Sequence, residues 1–320
     1  MAVHIFLTNE ENYSICIKRG LVGLPSSQKG DIFDGLLSRM TMIKENDYIL
    51  IYVNKPAKEL RGVWKADGFS FYDETEVWHD RVYPIRCKIK VSEYCFDNYL
   101  KLNDINDLIN NNKIWTWALN RPTGSNAMFS ISNWEFEVLI NEYLKINPFS
   151  QNTWRIIEPY SVHEPNILDI VHKDNGSLKY ESSVMTYLNY SFSNGLFKDI
   201  FGNYTDYLSY IPTNLGREMD ILLMYSHPHN PLNILSYDII EVKRDVFDET
   251  ALSQLIDYES WFLQKKISGD MKMLRTTAIA KTFSDEVIDY VYKRNNIEHK
   301  PIKLIQYDYD TTTGFSMSQI

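Results

Sequence analysis

Two apolar runs, Ile221-Leu-Leu-Met224 and Ile239-Ile-Glu-Val242, carry charged residues at positions where a buried strand does not tolerate them without a partner. Asp220 immediately precedes the first run, Glu241 lies within the second, and Lys243 follows it. Strand side chains alternate faces with a period of two, so Glu241 and Lys243 share a face while Ile240 and Val242 point into a core. A Glu-x-Lys triplet alone is most often a solvated strand face. Here the apolar flanks predict central strands, where an unpaired charge is costly. If the two strands pair as a hairpin through residues 226–233, Asp220 meets Glu241 at one edge. Two acidic oxygens beside an ammonium make a site for a hard divalent cation, next to a group that can orient a water or a phosphate.

The neighbouring segments supply a consistent frame. Residues 248–266 open with Asp248 and Glu249 and close with Lys265 and Lys266, the polarity a helix dipole favours. Leu252, Leu255, Ile256 and Phe262 form its apolar stripe, and Gln254 and Tyr258 sit four apart on one face. A strand over 276–283 and a helix over 284–294 follow. A helix begins at Glu181, and residues 207–212 read as a first strand. The predicted order is αβββαβ. On these residues the second half resembles the PD-(D/E)xK (restriction-endonuclease-like) nucleases, and within them the RecB-type and archaeal mismatch-cleaving branch. That family has a helical Glu, an Asp on the second core strand, Glu-x-Lys on the third and Gln-x-x-x-Tyr on the next helix. Glu181, Asp220, Glu241, Lys243, Gln254 and Tyr258 match it in order, over roughly residues 165–310.

The resemblance implies that Asp220 and Glu241, with a backbone carbonyl near Val242, hold Mg²⁺ or Mn²⁺. Lys243 then orients or deprotonates a water, or stabilises charge on the phosphate. Glu181 either completes the outer coordination or serves the dipole of its own helix. Gln254 and Tyr258 position the lysine and the DNA backbone, Tyr258 being equally readable as structural.

At 320 residues the chain has room for two ordinary domains, and 44% hydrophobic with 23% charged residues is a globular composition. The start, Met-Ala-Val-His-Ile-Phe-Leu-Thr, reads as a first strand rather than a signal peptide, and no apolar run is long enough to span a membrane. Cys16, Cys87 and Cys95 lack metal-ligand spacing and are expected to be reduced thiols of a cytoplasmic protein. The net charge of −9 is unfavourable for DNA binding overall, but a groove needs only local positive charge. Affinity is then expected to be modest and salt-sensitive.

Six of the seven tryptophans lie in the first 154 residues, which marks off a different kind of domain. Residues 1–147 are expected as that domain, the proline-bearing stretch 148–166 as linker, and 167–320 as the nuclease-like domain. Strands are predicted at 3–7, 47–53, 60–66 and 83–91, and helices at 10–18, 105–111 and 134–145, giving a mixed α/β barrel. The succession of Asp47–Val53, Arg61-Gly-Val-Trp64, Glu74–Trp78 and Tyr83-Pro-Ile-Arg86 is similar to EVE-type domains of the PUA-like superfamily, relatives of YTH modules.

That resemblance, looser than the first, implies a reader that lodges a flipped modified base between aromatic walls. Trp64, Trp78, Trp117 and Tyr52 are the candidate walls, Asn9 and Asn54 the candidate edge-readers, and Arg121 a candidate phosphate contact. Of these, Trp64 is expected to be core and Trp78, in a polar loop, an exposed wall. Together the two resemblances imply a modification-dependent DNA endonuclease, acting on double-stranded modified DNA with Mg²⁺, and a homodimer so that both strands are cut. The alternatives are a structure-specific repair nuclease for mismatched or branched DNA, and a non-catalytic binder of modified nucleic acid.

Overall fold

The computed structural model describes residues 2–54, 56–118, 127–149, 154–161 and 167–320. The chain divides into two units, Met1–Val171 and His172–Ile320. Among the described residues no helix is long and apolar enough to cross a membrane.

In the first unit the strands run in the order Leu21–Leu24, Ile85–Val91, Glu59–Ala66, Tyr48–Val53, Val3–Thr8, Met128–Ile131. Val3–Thr8 and Tyr48–Val53 are parallel, and the other pairs are antiparallel. The first and last strands of this order are not paired with each other among the described residues, and the mixed sheet curls as a half-barrel. Every residue of Tyr48–Val53 is buried, as a central strand covered on both faces requires. The helix Glu10–Arg19 is fixed at both ends. The Asn9 side chain accepts the Asn12 N–H at its start, and Gly20 takes a left-handed conformation (φ 62°) at its end.

The sequence did not announce the helix Gly30–Met40, whose Lys29 cap makes no side-chain bond and which contains two glycines. Nor did it announce the four-residue strands Leu21–Leu24 and Met128–Ile131, too short for a periodic signal.

Much of the stretch expected as linker is part of this unit. Residues 154–161 lie along the end of helix Glu10–Arg19: the N–H groups of Glu158 and Tyr160 donate to the carbonyls of Lys18 and Arg19, both at 3.0 Å. Ile156 fills the space a side chain at Gly20 would need, since a Cβ there would lie 2.7 Å from Ile156 Cδ1. The Trp154 ring stacks on Trp64 at 4.6 Å. Tyr160 accepts a hydrogen bond from the fully buried Arg86 guanidinium (2.9 Å) and donates to Asp73 (2.6 Å).

The second unit is built on a sheet in the order Asp206–Pro212, Glu218–His227, Asn230–Val242, Leu274–Ala280, Ile302–Asp310, Gly314–Gln319. The first three are antiparallel, and the next two join in parallel through the helices Glu249–Lys265 and Asp285–Lys293. The helix Glu181–Ser193 precedes them all. The hairpin turn is tighter than the expected 226–233, because pairing continues to His227 opposite Asn230 and Pro231 belongs to the strand.

One buried carboxylate in this sheet gives a pH-dependent prediction. Asp238 is 2% exposed, and burial raises its pKa to about 6, only partly opposed by the Thr277 hydroxyl (2.9 Å) and by Lys303 and Arg275. The folded state therefore holds this proton more tightly than the unfolded chain does. Its contribution to stability is full below the ordinary carboxylate range and is lost as pH rises through 6. Asp238→Asn is expected to raise stability near pH 8 by about 3 kcal/mol, with most of that gain gone near pH 4. Urea unfolding at the two pH values checks it, and an equal effect at both would contradict it.

Candidate active site

The register of the central hairpin pairs Ile221 with Ile240, and the next residue on each strand is Asp220 and Glu241. Asp220 Oδ2 accepts the Val242 N–H at 2.8 Å, which fixes its carboxyl across the strand pair. Glu241 is fully buried, and its Oε1 accepts from Lys243 Nζ at 2.8 Å. Its other oxygen, Oε2, is buried with no hydrogen-bond partner among the described residues. Glu181, the first residue of its helix, brings Oε2 to 3.6 Å from the same Lys243 Nζ.

Electrostatics follow from this crowding. Burial, then the neighbouring Glu241 carboxylate, pushes the Asp220 carboxyl well above the usual range, against the pull of Lys243 and the Val242 N–H. Burial likewise lifts Glu241 to about 7, with Lys243 opposing and Glu181 adding. Burial disfavours the Lys243 charge, but the carboxylates of Glu241, Asp220 and Glu181 outweigh it and hold the ammonium above its ordinary range. Fully ionised, the carboxylates would carry more negative charge than one ammonium relieves.

The arrangement fits a hard divalent cation: the donors are carboxylate oxygens, one of them is buried and unpartnered, and repulsion between them would fall on binding. Only two acidic side chains meet at the strand ends, and among the described residues no group of three or more His, Cys, Asp or Glu is arranged to hold a metal. Remaining ligands would be backbone carbonyl, water or phosphate.

Gln254 and Tyr258 act one step away. Gln254 Nε2 donates to the Tyr258 hydroxyl (2.9 Å), which donates to the Glu218 carbonyl (2.8 Å). Tyr258 is fully buried, so this relay ties the helix Glu249–Lys265 to the strand residue two positions before Asp220. No hydrogen bond from either residue to Lys243 is found among the described residues; what they hold is the Glu218 carbonyl.

The expected base-pocket residues of the first unit are scattered. Trp117 packs edge-on against Tyr52 (6.2 Å) and Phe129 (5.1 Å), and all three belong to the hydrophobic core. Trp78, expected to be exposed, is 5% exposed and lies against Tyr83 (5.1 Å) and the Arg86 guanidinium (5.4 Å), because Gly23 lets the loop approach its strand. The cavity beside Trp78 is about 10 Å³, room for no more than a water. Asn9 is committed to capping its helix, while Asn54 is exposed and its N–H pairs with the Thr8 carbonyl. Arg121 lies outside the described residues.

Trp64 is core as expected, 2% exposed, and it also borders a cavity of 310 Å³ with Tyr13, Tyr99 and Trp154. Sequence reasoning missed the last three. Tyr13 and Ile17, four apart on one helix, carried a usable signal, whereas Trp154 was masked by its proline-rich surroundings.

No protein-family model matches the chain, and no curated protein matches it. Among solved structures it is similar to the human THYN1 protein, crystallised in complex with DNA containing 5-methylcytosine, at 6% identity over 45% of this chain and 98% of that one, with a TM-score of 0.34. It is also similar to Rpa0253 from Rhodopseudomonas palustris at 8% identity, over 48% of this chain and 99% of that one, with a TM-score of 0.30. Neither likeness carries the functional reading, which rests on the side chains above.

Proposed function

We propose that this chain is a divalent-metal-dependent DNA endonuclease of the PD-(D/E)xK type, directed to modified DNA by a PUA-like first domain. The observation that carries the nuclease reading is the fully buried Glu241, whose unpartnered Oε2 lies at the same strand ends as Asp220 and beside Lys243. Such a cluster costs folding energy with no structural return unless a cation or substrate completes it. A bound Mg²⁺ or Mn²⁺ supplies Lewis-acid polarisation of a phosphodiester and lowers the pKa of a water. Asp220 and Glu241 would hold that ion.

The chain's own residues do the rest. Lys243, kept charged by its three carboxylate neighbours, stabilises negative charge building on the phosphate. A lysine held so firmly in its ammonium form is a poor general base, so of the roles left open by the sequence the electrostatic one is favoured. Glu181, half-exposed at a helix start, orients the ammonium from the solvent side. Cutting both strands of a duplex takes two such sites, hence a homodimer.

The test compares plasmid DNA that is unmodified with the same DNA carrying 5-methylcytosine, 5-hydroxymethylcytosine or N6-methyladenine, in Mg²⁺, Mn²⁺ and chelator. Cleavage that needs the metal and runs about tenfold or more faster on one modified substrate is the expected result. Equal rates on all four would remove base reading and leave the nuclease. No cleavage of any of them would remove the nuclease.

A further inference from the structure

We infer that the cavity walled by Tyr13, Trp64, Tyr99 and Trp154 is a nucleobase-binding site, with the segment 154–161 forming one of its sides. This rests on the reading of the first unit as a base-binding domain and locates where the base goes, away from Trp78. At 310 Å³ the cavity is the size of a small-ligand site, whereas the Trp78 cavity is not. Its walls come from separate pieces of chain: the helix Glu10–Arg19, the strand Glu59–Ala66, the loop at Tyr99 and the segment at Trp154. Four aromatic rings around one space favour a flat, π-bearing guest over an aliphatic one.

Two further observations bear on the ligand. Behind the walls, the Arg61 guanidinium lies over the rings of both Tyr13 (4.8 Å) and Tyr99 (5.0 Å) and is itself clamped by Glu10 (2.7 Å) and Glu59 (2.9 Å). The two tyrosines are thereby set in place before any ligand arrives. At the mouth, the lining residues Lys18, ion-paired with Glu158 at 3.0 Å, and Arg155 are exposed, and Arg155 is placed to contact a phosphate attached to the base. Ile17 and Ile157 add apolar surface that suits a methyl substituent.

The test uses the full chain in chelator, so that nothing is cleaved, and two probes read by calorimetry: free 5-methyl-2′-deoxycytidine monophosphate, and a duplex oligonucleotide bearing one 5-methylcytosine. Ile157 is 74% exposed on the cavity rim, so Ile157→Trp fills the space without disturbing the core, and Ile157→Val is its matched control. Tyr99→Leu removes one aromatic wall and leaves a smaller apolar side chain in its place. The inference expects Ile157→Trp and Tyr99→Leu to weaken probe binding about tenfold or more, with Ile157→Val close to wild type and the unfolding midpoints of both Ile157 variants unchanged. Loss for the duplex alone assigns the site to a base within DNA, and equal loss for the mononucleotide assigns it to a free nucleotide. Wild-type affinity in Ile157→Trp would overturn the site while leaving base reading in place. If wild-type protein bound neither probe, base reading by the first unit would fall, and this site with it.

Discussion

Asp220→Asn is expected to lower metal-dependent DNA cleavage on the order of 10³-fold or more, and Lys243→Ala to do the same, without unfolding the protein. The two variants separate chemistry from structure in different ways. The amide oxygen of an asparagine at 220 can still accept the Val242 N–H, so the bond that fixes the strand pair survives. The Asp220 carboxyl is held far above its usual pKa by burial and Glu241, so its ionised form is a cost to the folded state, and removing it should leave stability equal or higher. Lys243→Ala strands Glu241 without its one cationic bond among the described residues, so modest destabilisation is expected there. Nicking of supercoiled plasmid, read beside thermal unfolding of each variant, checks both. A folded Asp220→Asn protein that cuts at the wild-type rate would end the nuclease assignment.

Arg86→Met is expected to destabilise the first unit by about 3–5 kcal/mol, the usual result of deleting one partner from a buried ionic network. Arg86 is fully buried, and its guanidinium donates to the carbonyls of Tyr83 and Thr75 and to the Tyr160 hydroxyl, with Asp73 at 3.7 Å. Burial lowers its pKa, and Tyr160 and Asp73 offset only part of that, so the cluster is held by directed hydrogen bonds more than by charge. Arg86→Lys should rescue little, since an ammonium cannot reach three diverging acceptors in one plane. Urea unfolding measures the loss, and a change below about 1 kcal/mol would mean that the network is not a stability determinant.

How much of this was readable from sequence differs between the halves for a physical reason. Asp220 and Glu241 lie on strands whose period-two pattern fixes direction, with Lys243 just past the end of the second, so their convergence followed once the strands were recognised. The helix Glu249–Lys265 was equally legible, because charge at both ends and a continuous apolar stripe agree. The aromatic residues of the first unit gave no such handle. A tryptophan satisfies a core and a cavity alike, and which one it meets depends on chain that arrives from far away in sequence. Trp64 became a wall because Trp154, ninety positions on, stacks against it. Trp78 left the surface because a residue without a side chain, Gly23, stands opposite it. Neither fact is encoded near the residue concerned.

The segment 154–161 changes where the first folding unit ends. Cut at residue 147, that fragment would lack Tyr160, leaving the Arg86 guanidinium and Asp73 with one acceptor and one donor fewer. It would also bare the Trp64 face that Trp154 covers and open the vault beside Tyr13 to bulk water. An autonomous version of this half needs its tail through residue 161.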